Sequence, residues 1–490
     1  MSPARDWLLG IDVGTSSTKA VILEAGSGRL AAVSVRRHRV SAQHDDRAES
    51  DPEDWLRSAR RAVRGALRRA RQQSPGAVAA VGLSGQMHGL VLADRAGAPL
   101  RPAILWADRR ARAEAARYLE LGEQRRRALA NPAVAGMTGP LLCWVAAHEP
   151  GAYARAAWAL QAKDWLRLRL TGRAGAEHSD ASGTLLYDFA EGGWSRQVVA
   201  ALGLRGDLLA PLARSDDLAG GLTAEAAGIL DLPEGIPVAY GAADTAAALE
   251  GTGAPRPGEL QLTIGTGAQV VAARGEPLPD RAYRYHLFAR PRRGFYALAA
   301  VQAAGLAFEW AWRVLGCGWP AAYRALRQAP AGARGISFVP HLAGARSPLM
   351  DDAATGVFAG LRLHHRREDL IRGVFEGVAF SIRQAAECLP EFAACSSLRL
   401  AGGGARNQAW RQLLADTLGR SLRPVDDPHA SARGAATLAG IACRALEPAG
   451  APAGDAGTGR CIRPRAPEAD RLRSAYDRWQ AVTGRGRSLP

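Results

Sequence analysis

Three stretches of the chain run apolar, then polar around glycine, then apolar or amphipathic again. Leu8-Leu9-Gly10-Ile11-Asp12-Val13 is an apolar run ending in a carboxylate, Gly14-Thr15-Ser16-Ser17-Thr18-Lys19 is polar, and Ala20-Val21-Ile22-Leu23 is apolar once more. This predicts two strands joined by a tip of glycine, hydroxyls and one lysine. Such a tip can hold phosphate, because glycine lets the backbone approach an anion while hydroxyls and an ammonium donate to it. Asp12 at its base is a candidate to orient a metal ion or a water. The pattern recurs at Leu260–Ile264, Gly265-Thr266-Gly267 and Ala268–Ala272. A third glycine turn, Gly402-Gly403-Gly404, follows Leu398–Ala401 and leads into a helical period with Trp410, Leu413, Leu414 and Leu418 on one face.

Between these turns the period is mostly helical. Asp51-Pro52-Glu53-Asp54 has a cap residue, a proline at the first helical position and acids in the first turn. It predicts a helix to about Gln73 with Trp55, Leu56, Ala59, Val63 and Leu67 inward. Val78–Leu83 then reads as a buried strand delivering Gln86-Met87-His88 at its carboxyl end, where open α/β sheets bind ligands. Glu368–Leu389 reads as a long helix. Pro237–Tyr240 reads as a strand, and Thr245–Leu249 starts a helix just after Asp244. The Pro/Gly-rich segment Gly251–Pro257 predicts an interdomain link, and Glu447–Pro467 a flexible connection to a terminal helix near Ala469–Thr483.

Two Gly-Thr hairpins, one near the start of each half, imply a duplicated α/β unit. Two such domains facing each other would bring both turns to one nucleotide. The length fits, since 490 residues exceed a single core and divide into two domains. The expected division is residues 1–250, which carry the first Gly-Thr hairpin, and residues 251–490, which carry the second and the third glycine turn.

Charge changes the picture less than its size suggests. The net charge is +16 and the isoelectric point about 10.4, which raises a nucleic-acid reading. The arginines, however, are spread over helical faces such as Arg57, Arg60, Arg61, Arg64 and Arg68, with no interleaved aromatic stripe for base stacking. Solvated faces are expected, and no nucleic-acid partner. Lysine occurs only as Lys19 and Lys163. An ammonium differs from a guanidinium fork, so Lys19 is assigned to phosphate contact and Lys163 to a structural hinge or surface role. No run of about 18 apolar residues occurs, and Met1–Trp7 is too short and too charged for a signal peptide; a soluble cytoplasmic protein with no membrane partner is expected. Six cysteines lack metal-ligand spacing and are expected to be reduced, structural thiols.

The order of these motifs resembles the FGGY carbohydrate kinases, and within them the xylulokinases. The resemblance rests on the Asp12-Val13-Gly14-Thr15 hairpin, Ser84-Gly85-Gln86-Met87-His88-Gly89, Ile104–Arg110, Lys163-Asp164-Trp165-Leu166-Arg167, Ser179–Thr184, Gly241-Ala242-Ala243-Asp244, the second Gly-Thr turn and Gly402–Arg406. It implies an α/β fold of two actin-like, ribonuclease H-like domains with a nucleotide and sugar cleft between them. It also implies ATP-dependent phosphorylation of a pentulose, D-xylulose to its 5-phosphate, with ATP and Mg²⁺ as cofactors. Partners are then a small-molecule sugar and ATP or ADP, with a homodimer allowed. Another substrate such as ribulose, gluconate or glycerol, or a non-catalytic sugar sensor, stands beside this reading.

Phosphoryl transfer needs positioning, charge neutralisation and a base for the hydroxyl proton. Asp244 is the candidate base, against the alternative of a helix cap. Asp12 is assigned to the metal side. Thr15, Ser16, Lys19, Gly265 and Thr266 are assigned to phosphates, and Gly403, Gly404 and Asn407 to the adenosine. By resemblance, Gln86, Met87, His88, Asp108 and Arg109 join Asp244 at the sugar. The chain departs from xylulokinases at Thr245, where they carry Asn, at Gly267, where they carry Ser, and at Ala345, where they carry Glu. These changes bear on sugar choice and rate.

Overall fold

Both predicted Gly-Thr hairpins form, each as the centre of a sheet. In the computed structural model, which describes residues 5–41, 46–253, 255–425, 427–447 and 460–485, Arg5–Val13 pairs antiparallel with Ser17–Glu24, Val13 facing Thr18. The tip is therefore tighter than the polar run suggests. Lys19 lies on the second strand, directly opposite Asp12. The second hairpin pairs Leu260–Ile264 with Ala268–Arg274, Ile264 facing Ala268, and leaves Gly265-Thr266-Gly267 as its turn.

The two sheets repeat one plan. In the first, the returning strand Ser17–Glu24 pairs antiparallel with Leu30–Arg37, while Arg5–Val13 pairs in parallel with Gly76–Gly85, which continues to Pro237–Ala239. In the second, Ala268–Arg274 pairs antiparallel with Phe295–Val301, while Leu260–Ile264 pairs in parallel with Ser397–Ala401 and then Ser421–Pro424. Three antiparallel strands followed by two parallel ones, twice over, are the duplicated α/β unit that the hairpins imply. The outer edge of the second sheet gains His286–Ala289.

Helices cover the sheets where apolar periods predict them. The helix Pro52–Gln73 is capped by Asp51, whose side chain accepts from the Glu53 N–H, and buries Trp55, Leu56, Ala59, Val63 and Leu67. Arg367–Glu387 and Gln408–Leu418 bury Val374, Phe375, Trp410 and Leu414 in the core of the second half. The terminal helix runs Ala466–Arg485. Most of the predicted connection Glu447–Pro467 lies outside the described residues, as does Ala254 of the Gly251–Pro257 link.

One helix belongs to both halves. Ala430–Ala442, from the second half of the chain, lies on the first sheet so closely that a Cβ on Gly10 would stand 1.9 Å from the Ala432 carbonyl oxygen, and one on Gly82 1.8 Å from that of Ala435. No larger side chain fits at either strand position. The same helix receives Asp244–Gly251 at equally short range, Gly434 against the Ala247 carbonyl. The helix that begins at Asp244 is thus packed rigidly from behind.

Lys163 corrects an expectation. It is fully buried, within 3.2 Å of Asp164, Glu177 and Asp180, and so is not at the surface. Burial alone would lower its pKa, but the three carboxylates raise it above the ordinary lysine value. Cys461 is exposed, unlike the other five cysteines, and all six are free thiols.

Candidate active site

Asp244 and the Gln86-Met87-His88 segment leave one sheet side by side. Ala242-Ala243 pairs in parallel with Ser84-Gly85, so both chains emerge at the same carboxyl edge. Gly241 makes this approach feasible: its φ is +76°, and a Cβ there would lie 1.9 Å from the Leu83 carbonyl oxygen. Asp244 is the first residue of its helix, with Ala243 at the cap position. Its Oδ1 accepts from the N–H and hydroxyl of the adjacent Thr245 at 2.5 and 3.2 Å. Burial, and then the nearby charge of Asp12, push its pKa from 3.8 up to about 7. A carboxyl held at that value can take a proton from an alcohol near neutral pH and release it again.

Asp12 stands at the end of the neighbouring strand. Its pKa is raised by burial, which outweighs the opposing pull of Lys19 and Ser84. Lys19 lies 3.9 Å from the Asp12 carboxylate and donates to the Pro428 carbonyl at 3.2 Å, joining the first hairpin to the second half of the chain. Both side-chain polar atoms of Gln86 are buried without a hydrogen-bond partner, two residues from Ser84, whose hydroxyl faces the Asp12 carboxylate. Orphaned polar groups in one place are costly unless something completes them. One carboxylate with neutral oxygens nearby suits a Mg²⁺ that keeps several waters and arrives with phosphates. Among the described residues no cluster of three or more His, Cys, Asp or Glu could hold a metal by itself.

A cavity of about 230 Å³ opens beside Asp244 and takes its walls from both halves of the chain. Thr15, Met87, His88, Trp106, Met137 and Asp244 come from the first half; Gln269, His286, Phe288, Gln302 and Arg346 come from the second. His88 has φ +62° and bonds through Nδ1 to the Gly183 carbonyl at 2.7 Å. Nδ1 must therefore carry the hydrogen, and Nε2 is left as an acceptor. Burial lowers the His88 pKa to about 4, so the ring is neutral. His286 stacks on Phe288 with ring centroids 5.6 Å apart, and its buried Nδ1 has no partner. The Arg346 Nε donates to Gln302 at 3.3 Å. Aromatic and thioether walls with a few convergent polar groups are the usual lining of a small-molecule pocket.

The structure distributes the other expected site residues unevenly. Thr15 lines the cavity and accepts from the Trp106 indole at 3.0 Å, whereas Ser16 is exposed at the tip. Gly265 and Thr266 are exposed on the second tip, which is fastened to the start of the helix Gly305–Val314: Ala304 and Leu306 donate to the Thr266 carbonyl at 3.1 and 3.0 Å. Gly402, with φ +95°, and Gly404 press the third turn against Ile264, at the foot of that tip, while Gly403 stands in the open. Asn407 caps the next helix by accepting from Ala409 and Trp410. It also borders a second cavity, of about 780 Å³, with Ala329 and Gln412.

Three expected sugar contacts lie elsewhere. Asp108 is buried away from the cavity with both oxygens engaged: Oδ1 accepts from the Arg110 N–H and Nε, Oδ2 from Arg110 and the Ala48 N–H. No lone pair remains for vicinal hydroxyls. Arg109 donates to the Ala343 carbonyl at 2.9 Å, a strap across the cleft. Gln86 does not border the cavity, and its buried amide has no hydrogen-bond partner. Conversely, His286, Phe288 and Gln302 carry no motif that marks them; the pairing of Phe295–Val301 with its neighbours brings them beside Gln269, and Arg346, next to the departure at Ala345, joins them from a loop.

Comparison with known proteins gives the family of the chain. Residues 7–251 match the N-terminal domain of the FGGY family of carbohydrate kinases, and residues 260–443 its C-terminal domain. The chain is 35% identical over 443 residues to the xylulose kinase of Escherichia coli (strain K12), covering 89% of this chain and 90% of that one. It is 31% identical over 438 residues to the xylulose kinase of Bacillus subtilis (strain 168), covering 88% and 87%. A crystal structure described as a xyloylose kinase from Brucella ovis superposes with a TM-score of 0.90 at 32% identity, over 99% of this chain and 100% of that one. No helix among the described residues is long and apolar enough to cross a membrane. The chain belongs to the FGGY family of carbohydrate kinases.

Proposed function

We propose that this kinase transfers the γ-phosphoryl group of ATP to a hydroxyl of D-xylulose, giving D-xylulose 5-phosphate and ADP. The observation that carries this reading is the cavity with Asp244 in its wall, in a chain whose relatives in Escherichia coli and Bacillus subtilis are xylulose kinases. Asp244 accepts the hydroxyl proton as the sugar oxygen attacks phosphorus, and the bridging oxygen leaves with ADP. Mg²⁺, held on the Asp12 side with Ser84 and Gln86 near its waters, would neutralise charge on the phosphates. Lys19, Thr15, Ser16, Gly265 and Thr266 cradle those phosphates from the two hairpins, and Gly403, Gly404 and Asn407 take the adenosine.

On this reading residues 1–250 carry the sugar side and first phosphate loop, residues 251–490 carry the nucleotide, and the enzyme works in the cytoplasm. His88 accepts a sugar hydroxyl at Nε2, and Met87 packs on the carbon skeleton. Drawing the halves together expels water that would otherwise hydrolyse ATP. The test is sugar-dependent ADP release over D-xylulose, ribulose, gluconate, glycerol and no sugar. D-xylulose should give the highest kcat/KM. A higher value for gluconate or glycerol would reassign the substrate, and no sugar-dependent release with any of them would reject catalysis.

A further inference from the structure

The segment Tyr240–Ala243, which carries Asp244 to the cavity, is tied to the buried cluster around Lys163 at three points. Arg167 donates to the Tyr240 carbonyl at 3.1 Å. The Gly241 N–H donates to the Ser215 carbonyl at 3.0 Å, and the Ser215 hydroxyl donates to Glu177 at 2.6 Å. The Ala243 N–H donates to the Ser179 hydroxyl oxygen at 3.0 Å, and that hydroxyl donates to Glu177 at 2.8 Å. Glu177 is held in turn by Lys163 at 3.2 Å, and Arg167 by Asp164 at 2.7 Å. All of these side chains are buried.

We propose that Ser179 is a positioning residue for Asp244, the last link through which the Lys163 cluster sets where the proton-accepting carboxylate stands. This rests on the reading of Asp244 as the base. A buried ion cluster can serve the fold alone, but here it bonds to three of the four residues that precede one functional side chain. Lys163 also packs under the facing strand, where a Cβ on Gly85 would lie 3.1 Å from that of Lys163. The cluster thus underlies both chains that reach the cavity. Ser179 is the serine that meets the Asp244 segment through its hydroxyl, which can be removed with little change of volume.

The test is a double-mutant cycle on the full-length enzyme. Ser179→Ala should lower kcat roughly tenfold to a hundredfold, the scale of a small misplacement of a reacting group, while KM for D-xylulose and for MgATP stays within about twofold. In the Asp244→Asn background, Ser179→Ala should have no further effect on kcat. Unchanged kcat in Ser179→Ala, or the same fractional loss in both backgrounds, would overturn the proposal. Near-normal turnover in Asp244→Asn alone would reject the base reading itself, and the proposal with it. If Ser179→Ala does not fold, Ser215→Ala cuts the parallel tie to Glu177 and is held to the same comparison.

Discussion

The charge of Asp12 raises the proton affinity of Asp244, on top of the larger effect of burial, and the two acids stand at the carboxyl ends of one sheet. With the Asp244 pKa at about 7, its proton-accepting form prevails only above that pH. The kcat/KM for the sugar should therefore fall about tenfold per pH unit on the acid side of neutrality. Asp12→Asn removes the nearby charge and should move this limb, followed on the residual activity, to lower pH. A limb that stays near pH 7 in that variant would assign the displacement to burial alone.

The same displacement has a cost in stability whose sign is fixed. Asp244 binds its proton more tightly folded than unfolded, so between about pH 4 and pH 7 the native state holds the extra proton and stability falls as pH rises. Above about pH 7 the full penalty applies, about 4 kcal/mol for a carboxyl moved from 3.8 to about 7. Asp244→Asn should accordingly lower turnover by roughly 10² to 10⁴ and yet raise Tm at pH 8, with the gain vanishing near pH 4. A Tm that drops at pH 8 would mean that the carboxylate serves the fold and has no strain to relieve.

Much of this was legible in the chain because it is local. A hairpin tip is read from consecutive residues, and Asp51, Pro52 and Glu53 mark a helix start wherever they occur together. The repeated sheet plan followed from two such tips. What was not legible depends on distance. Asp108 looks like a sugar ligand beside Trp106, but two residues on Arg110 folds back and saturates it. His286 carries no local signal, and enters the site only because the edge strand His286–Ala289 meets the loop at Arg346 beside His88. Lys163 was conspicuous by rarity, but nothing near it in sequence told that Glu177 and Asp180 would close around it.

The two hairpin tips make a separable prediction. Lys19 lies on the second strand of the first hairpin, opposite Asp12, and Thr266 at the second tip, and neither borders the cavity beside Asp244. Lys19→Ala and Thr266→Val should each raise KM for MgATP while the sugar KM stays within about twofold. Loss of a charge-assisted bond at Lys19 corresponds to about 1.5 to 3 kcal/mol, or roughly 10- to 150-fold. Lys19 also bonds to the Pro428 carbonyl, so thermal melting of Lys19→Ala must accompany the kinetics. A sugar KM that rises in step with that for MgATP would show that the tips shape the whole cleft and not the phosphate site.

Sugar choice gives the sharpest test of the cavity. His88 is neutral, its Nδ1 hydrogen is committed to the Gly183 carbonyl, and it stands in a buried wall beside Phe288. Its Nε2 is therefore a fixed acceptor that must find a donor once the cleft closes and water leaves. A hydroxyl of D-xylulose can satisfy it, whereas a substrate too short to reach leaves it unpaired, at about 1 to 3 kcal/mol. Sites that hydrogen-bond their substrate reject analogues lacking the group for this reason. His88→Ala should lower kcat/KM for D-xylulose by roughly 10- to 100-fold and leave the slow reaction with glycerol nearly unchanged, so that the preference between the two shrinks by that factor. His88→Asn, which keeps a side-chain acceptor, should recover part of the loss. Equal losses for both substrates would indicate that His88, through Gly183, holds the wall in place without touching the sugar.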